Sequence, residues 1–186
     1  GGMELLPRQR APRDVLNLWQ GYGVNLLGFD GFELPAGWRT TIPRPDGSYE
    51  RFKQHVLDNL CHGNVAHATY FWRAWAYAIQ NPDRPWEIAM ALLGEEGVGK
   101  GVVGQTWLKL WGRGQHGMHI TRSEGLTGSF NAHLRFAIGV FCDESAFAKS
   151  PSVQNVLKAL ITESTIFLNE KFISACEVPN RLKAII

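Results

Sequence analysis

The chain has 186 residues, of which 45% are hydrophobic and 19% charged, and its formal net charge is +2. This is ordinary globular composition, with enough residues for one sizeable core or two small ones. The small net charge excludes an overall basic field, so any contact with nucleic acid has to come from a local patch. No apolar run reaches the roughly 18 to 20 residues of a membrane span, which predicts a protein without a membrane partner.

The cysteines and the two chain ends bear on where the protein works. Cys61, Cys142 and Cys176 are few, odd in number and widely spaced, which favours a reducing compartment over a disulfide scaffold. The first residues lack the apolar segment of a signal peptide, so we predict a cytoplasmic protein. The apolar run that ends at Ile186 is typical of a strand cut short, which predicts that the protein continues.

The first part of the chain, residues 1–85, is predicted to be a mainly helical region with an extended arm. Prolines and arginines in residues 7–14 indicate the arm, and residues 14–24 carry a short helical pattern. From about Tyr49 to Gln80 the apolar residues follow a helical period. Residues 81–85 contain two prolines, which end the helix and mark a linker.

From residue 86 onward the pattern changes to strands that alternate with helices. A continuous apolar run at 136–142 is typical of a strand buried on both faces. This alternation predicts an α/β core, residues 86–186, in which helices flank a parallel sheet. The predicted strands are 86–93, 118–122, 136–142, 165–168, 173–178 and 182–186, and the predicted helices are 100–111 and one that begins at Pro151.

The loop between the first strand and helix of this core reads GEEGVGKG. It fits the phosphate-binding pattern G-x-x-x-x-G-K-[ST] except at the last position, where Gly101 replaces the hydroxyl that binds magnesium. Glycines let successive N–H groups point into the loop, and Lys100 would reach the β and γ phosphates. The alternative is a glycine-rich connection with an incidental lysine. The predicted nucleotide-binding residues are Gly94, Glu95, Glu96, Gly97, Val98, Gly99, Lys100, Gly101 and Val102.

Two acids follow the most apolar strand and lie 43 residues beyond Lys100. Asp143 is predicted to hold Mg²⁺, directly or through water. Glu144 is predicted to orient and deprotonate the water that attacks ATP, with Lys100 as the second catalytic residue. The alternative is a strand that simply meets solvent in acidic residues.

Four blocks of sequence resemble superfamily 3 helicases, the compact AAA+ ATPases of viruses, phages and plasmids. The similarity is greater to the helicase-like ATPase domain of phage and prophage primase-type replication proteins, and it covers about residues 88–186. It implies an AAA+ sheet, ATP bound between the subunits of a homo-oligomeric ring (a hexamer), translocation on single-stranded DNA, and the bacterial host cytoplasm as the location. The blocks are GEEGVGKG, GLTGSFNAHLRFAIGVFCDESAF, LKALITESTIFLNEKF and VPNRLKAII.

The resemblance also assigns residues. It places the glycine loop on a phosphate loop that in this subgroup often ends GKG, and Asp143 and Glu144 on the Walker B acids. It places residues 149–178 on a region whose hairpin grips single-stranded DNA, with Lys171 and Phe172 at its turn. A cation for phosphate and a ring for sugar or base suit that role. The alternative is an exposed lysine with a phenylalanine packed beneath it.

The family pattern continues after the last strand with a sensor asparagine and an arginine finger, and this chain ends before both. We therefore expect residues 1–186 alone to bind nucleotide and to hydrolyse it very weakly. Two other functions stay open at this point. One is a P-loop ATPase for DNA packaging or protein remodelling, and the other is a non-hydrolysing nucleotide-binding or DNA-binding module.

Three other groups of residues favour structural roles. His55, Cys61, His62 and His67 fit no regular pairing of zinc ligands, so surface histidines are the better interpretation. The aromatic residues at helical spacing between positions 70 and 77 favour a core over base stacking. Arg8, Arg10 and Arg13 favour a solvated tail over a DNA contact, and Cys142 favours a buried, inert thiol. The aromatic residues are Tyr70, Phe71, Trp72, Trp75 and Tyr77.

Overall fold

The computed structural model describes residues 2–9, 12, 15–19, 48–122, 124–142 and 151–186. Eight strands lie in these ranges: β1 (Gly2–Glu4), β2 (Val15–Asn17), β3 (Ala89–Met90), β4 (Gly117–Ile120), β5 (Gly139–Cys142), β6 (Thr165–Glu170), β7 (Ile173–Pro179) and β8 (Lys183–Ile185). Five α-helices accompany them: α1 (Ser48–His55), α2 (Val65–Gln80), α3 (Lys100–Leu110), α4 (Glu124–Thr127) and α5 (Pro151–Thr162). A π-helical turn, Val56–Leu60, follows α1, and a 3₁₀ segment, Ala132–Phe136, precedes β5.

The central sheet has four parallel strands in the order β3-β8-β5-β4. All four residues of β5 are buried, as its unbroken apolar sequence requires. The prediction of an α/β core around a parallel sheet is therefore confirmed. Several strands are shorter than predicted, and β5 begins at Gly139 because Phe136 belongs to the preceding 3₁₀ segment.

The two faces of the sheet carry different helices. Phe141 and Ile185 share an apolar cluster with α3, whereas the alternate residues Val140 and Cys142 share one with α5. Helix α3 connects β3 to β4, and α5 lies in the connection from β5 to β8, so these connections run on opposite faces. In such sheets the carboxyl ends of the strands flank a crevice where ligands bind.

Helix α3 lies close against the sheet because it carries a glycine where it crosses β5. A Cβ at Gly104 would overlap the ring of Phe141. Any larger residue would push the helix away from β5 and move its N-terminus. The close contact between Gly104 and Phe141 therefore fixes the position of the N-terminus of α3.

A chain of indole rings joins the N-terminal helices to the sheet. Trp107 of α3 is fully buried, and its ring centroid lies 5.0 Å from Trp75 of α2 and 5.3 Å from Trp86 in a stacked pair. The core interpretation is confirmed for Phe71 and Trp75, each only 4% exposed. It is wrong for Tyr70 and Tyr77, which are 60% and 47% exposed. The helix buries one side and presents tyrosines on the other.

Lys183 fastens the linker before β3 to the start of β8. Its ammonium donates to the carbonyl oxygens of Arg84 at 2.6 Å, Arg181 at 3.1 Å and Pro82 at 3.4 Å. Burial lowers the pKa of Lys183 to about 7, and the nearby Arg181 charge lowers it further while Asp83 raises it. The lysine has a structural role at the end of the sheet opposite the glycine loop.

The helical pattern predicted for residues 14–24 is wrong where the structure describes it. Residues Val15–Asn17 form a strand that pairs in parallel with β1. The side chain of Asn17 accepts from the N–H of Leu6 and donates to the carbonyls of Leu6 and Gln9. These bonds hold the backbone extended, since an asparagine amide competes with helical hydrogen bonds. Residues 20–24 lie outside the described ranges.

The basic arm, where it is described, forms a turn at residues 7–9 and is not extended as predicted. The guanidinium of Arg8 donates to the carbonyl of Gln80 at 3.2 Å, at the end of α2. Arg10 and Arg13 lie outside the described residues. All three cysteines are free, and burial raises the pKa of the Cys142 thiol to about 12, in keeping with an inert thiol. Among the helices that the structure describes, none has the length and apolar character to cross a membrane.

Candidate phosphate-binding site

The glycine loop, residues 94–101, follows β3 after the short segment 91–93 and runs into the first turn of α3, in the strand-loop-helix order that the sequence predicts. Gly97 and Gly99 have φ values of 89° and 90°, a left-handed conformation that favours glycine. These two residues curl the backbone between the strand and the helix. The loop therefore lies at the carboxyl end of β3, at the edge of the sheet where ligands bind in this architecture.

Helix α3 begins at Lys100, the second-to-last residue of the loop. The first N–H groups of a helix have no partner within it and carry a partial positive charge. The ammonium of Lys100 donates to the carbonyl of Gly94 at 2.6 Å, so its side chain lies back across the loop. Backbone donors, a helix N-terminus and an ammonium group meet here, which is the combination that binds phosphate groups.

The loop also carries two acidic residues and one position with free space beside it. Glu95 and Glu96 are both exposed. A Cβ added at Gly101 would have no heavy atom within 4 Å. Thr106 is the next hydroxyl along α3, and it donates to the carbonyl of Val102 at 2.8 Å. Thr106 lies five residues beyond Gly101, about 7.5 Å further along the helix axis, so it does not stand where the missing hydroxyl would be.

His55 contacts the loop, a role that the sequence analysis missed. Its Nε2 lies 3.3 Å from the carbonyl oxygen of Gly99, and Asn59 Nδ2 lies 2.7 Å from its Nδ1. Because the amide of Asn59 can only donate through Nδ2, Nδ1 accepts and Nε2 carries the proton that Gly99 accepts. The imidazole packs so closely that a Cβ at Gly99 would overlap it. His55, the last residue of α1, thus packs against the end of the loop and stabilises its conformation.

The two acids predicted for catalysis, Asp143 and Glu144, lie outside the described residues, and their roles stay predictions. The strand before them is described as far as Cys142. Phe141 and Met90 both pair with Ile185, so β5 and β3 end at nearly the same level of the sheet. The chain continues from β5 at the edge of the sheet that carries the glycine loop.

The hairpin predicted at residues 165–178 is present. Strands β6 and β7 are antiparallel, and Lys171 and Phe172 form the turn between them. Phe172 is 94% exposed, and the Lys171 ammonium lies 5.1 Å from the centre of its ring. The alternative of a phenylalanine packed beneath the turn is therefore wrong. The tip presents an aromatic face and a cation to solvent.

The hairpin is held to the segment that leads into β5. The side chain of Asn131 donates to the carbonyl of Phe167 at 2.8 Å and accepts from the N–H of Asn169 at 2.7 Å. Arg135 adds an ion pair with Glu170 at 2.7 Å. Glu170 directly precedes the turn, so these contacts couple the half of the hairpin next to its tip to the segment that leads into β5.

Within the ranges described above, no group of three or more histidine, cysteine, aspartate or glutamate side chains is placed to hold a metal ion. His55 in particular is engaged by Gly99 and Asn59 rather than directed towards Cys61.

Residues 92–186, about half of the chain, match a family of unknown function, DUF5906. The chain belongs to this family. The match begins two residues before Gly94 and takes in the glycine loop, β5 and the hairpin. No match was found among curated proteins.

Solved structures of the NrS-1 C-terminal region, all in apo form, share the fold. One is 20% identical, covers 98% of this chain and 41% of its own, and gives a TM-score of 0.64. Another is 20% identical over 99% of this chain and 40% of its own, with a TM-score of 0.62. A third is 24% identical over 73% of this chain and 32% of its own, with a TM-score of 0.57. This chain thus spans less than half the length of these neighbours, and the similarity extends to its N-terminal helices.

Proposed function

We propose that this chain is the ATP-binding part of a DNA helicase of the phage replication type. The observation that carries the proposal is the glycine loop at the carboxyl end of β3, with Lys100 at the N-terminus of α3. Support also comes from the fold shared with the NrS-1 C-terminal region and from the sequence resemblance to superfamily 3 helicases. The chain covers about 41% of that neighbour, so the activity of the whole protein is part of the proposal.

The phosphates of ATP bind to the N–H groups of the loop and of the first turn of α3. Lys100 exchanges its bond with the Gly94 carbonyl for the β and γ phosphates, a short movement of one flexible side chain. The ammonium now donates to an uncharged carbonyl, whereas a phosphate adds the attraction between opposite charges. The bond from Lys100 to the phosphates is therefore expected to be stronger than the bond to the Gly94 carbonyl that it replaces.

Hydrolysis proceeds by in-line attack of a water molecule that Glu144 orients and deprotonates. Asp143 would hold Mg²⁺, which when bound would neutralise charge on the phosphate oxygens. Because position 101 has no hydroxyl and Thr106 lies five residues further along α3, Mg²⁺ would rely on phosphate, water and Asp143. A neighbouring subunit of a ring completes the site, and the protein acts in the cytoplasm of a bacterial host.

Substitution of Gly101 by threonine is expected to tighten magnesium-dependent ATP binding about tenfold, or roughly 1.4 kcal/mol, by adding one oxygen ligand. The space at this position is open, so the side chain fits without displacing neighbours. Gly101→Val is the matched control, because valine has the same branching without the hydroxyl. ATP affinity is measured with Mg²⁺ and with EDTA. Equal behaviour of the two variants, or magnesium held by another side chain in a bound structure, contradicts this assignment.

The hairpin supplies the contact with single-stranded DNA. Phe172 offers an aromatic face for a base or sugar, and Lys171 offers a cation for a phosphate. Asn131 and the Arg135–Glu170 pair transmit movement between β5 and the hairpin, because they fix the half of the hairpin next to its tip to the segment before that strand. A cycle of ATP binding and hydrolysis near β5 then moves the tip along the DNA.

The test is strand displacement on a forked DNA duplex by the complete protein. We expect ATP-dependent unwinding, and we expect Phe172→Ala to lower it at least tenfold, since base stacking on an aromatic ring contributes about 1–3 kcal/mol. Basal ATP hydrolysis of Phe172→Ala is expected to match the parent protein. The control is Tyr77→Ala, which removes another partly exposed ring, 47% exposed, on α2. ATP hydrolysis without unwinding points instead to DNA packaging or protein remodelling.

A further inference from the structure

A cavity of about 240 Å³ lies beside the strand that leads into the glycine loop. One wall is the chain from Ala89 to Leu93, and the other comes from the end of the π-helical turn and the first turns of α2. The residues that matter for its chemistry are Cys61, His67, Tyr70, Phe71, Leu92 and Leu93. The N-terminal helices and the sheet therefore build this cavity together.

The lining has the character of a site for a flat, uncharged group. It contains no aspartate, glutamate, lysine or arginine, and two of its side chains, Tyr70 and Phe71, are aromatic. Tyr70 is 60% exposed and Leu93 81% exposed, although both are large hydrophobic residues. Exposed apolar side chains gathered around a cavity indicate a binding surface. Burial raises the pKa of the Cys61 thiol, so the side of the cavity that Cys61 forms is also uncharged.

The size of the cavity suits one part of a ligand. Pockets that hold a whole drug-sized ligand have volumes of about 300–1,000 Å³. This cavity is slightly smaller, at about 240 Å³, and it adjoins the glycine loop because Leu93 directly precedes Gly94. Two residues of extended chain span about 7 Å, so Leu92 is within that distance of the start of the loop. The cavity is therefore within reach of the other end of a ligand that is held by its phosphates at the loop.

We propose that this cavity binds the base of the nucleotide whose phosphates bind at the glycine loop. The inference rests on the proposed function and adds to it the residues that hold the nucleoside. The ring of Tyr70 packs on the base, and Leu92 and Leu93 cover its edge. The imidazole of His67 also lines the cavity. It provides a hydrogen bond to a ring nitrogen or an exocyclic group of the base.

The binding of two ligands distinguishes this proposal from the phosphate site itself. MgATP carries both base and phosphates, whereas inorganic triphosphate with Mg²⁺ carries the phosphates alone. We expect the parent chain to bind both ligands, with MgATP bound more tightly. Tyr70→Ala is expected to weaken MgATP binding about tenfold in calorimetric titrations and to leave triphosphate binding unchanged. Lys100→Ala is expected to weaken both.

Tyr77→Ala is the matched control, because Tyr77 is an exposed tyrosine on the same helix and does not line the cavity. Thermal melting checks that each variant is folded. We expect the two tyrosine variants to fold, because both side chains are exposed on α2. If Tyr70→Ala weakens the binding of MgATP and of triphosphate equally, or weakens the binding of neither, the cavity is not the base site. If the parent chain binds neither ligand, the proposed function fails, and the base site fails with it.

Discussion

Alanine at position 100 is expected to lower the affinity for MgATP by at least a hundredfold. Lys100 is the one cation of the glycine loop, and in the free protein it donates to the Gly94 carbonyl. Its removal takes away charge-assisted bonds to two phosphates, each worth about 1.5–3 kcal/mol. Because roughly 1.4 kcal/mol is a factor of ten in affinity, two such bonds account for a hundredfold loss or more.

The matched control for this variant is Lys109→Ala. Lys109 is exposed and lies in the last turn of the same helix, so its removal changes the net charge equally. Calorimetric titration with MgATP is expected to show unchanged affinity for Lys109→Ala. Equal losses for the two variants would show that general charge, not the loop lysine, determines affinity. Retention of full affinity by Lys100→Ala would favour the non-enzymatic module.

Alanine at position 99 is expected to abolish nucleotide binding and to destabilise the loop. The backbone at Gly99 has a φ of 90°, which costs a residue with a side chain roughly 1–3 kcal/mol. The added Cβ would also overlap the imidazole of His55, which has to leave the Gly99 carbonyl to make room. Both effects open the turn that presents the N–H groups, so the loop no longer fits a phosphate.

Gly101→Ala is the control for that variant, two residues further along the same loop. It places the same methyl group where no heavy atom lies within 4 Å, in the first turn of α3. Alanine is a better helix former than glycine by about 1 kcal/mol, so the helix is expected to be as stable or more stable. MgATP binding is measured for both variants beside thermal melting. Strong binding by Gly99→Ala contradicts the role assigned to the loop conformation.

The parts of the fold that the sequence predicts are those with a local cause. The strand, glycine loop and helix from Ala89 to Leu110 follow from an apolar run, glycines and a helical pattern that are adjacent in the chain. The hairpin is likewise adjacent in sequence, and its strands are each only one or two residues longer than predicted. Short-range patterns of this kind determine element type, whereas strand ends depend on pairing partners elsewhere in the sheet.

The features that the sequence did not predict depend on distant contacts. His55 lies 44 residues before Gly99, and nothing in its neighbourhood marks it as a brace for the loop. The cavity beside β3 combines residues from Leu60 to Leu93, and Tyr70 has the same helical spacing as its buried neighbours. The strand at Val15–Asn17 results from side-chain bonds of Asn17 to residues before it. Such contacts appear only when the chain is folded.

A structure of the protein with a non-hydrolysable ATP analogue and Mg²⁺ tests the nucleotide site most directly. The proposed nucleotide site predicts phosphate oxygens within hydrogen-bond distance of the N–H groups of Gly97 to Gly101, since the Val102 N–H donates to the Gly99 carbonyl. It also predicts that Lys100 Nζ moves from its present place, 2.6 Å from the Gly94 carbonyl, to the β and γ phosphates. An analogue bound elsewhere, with Lys100 still on Gly94, would contradict it.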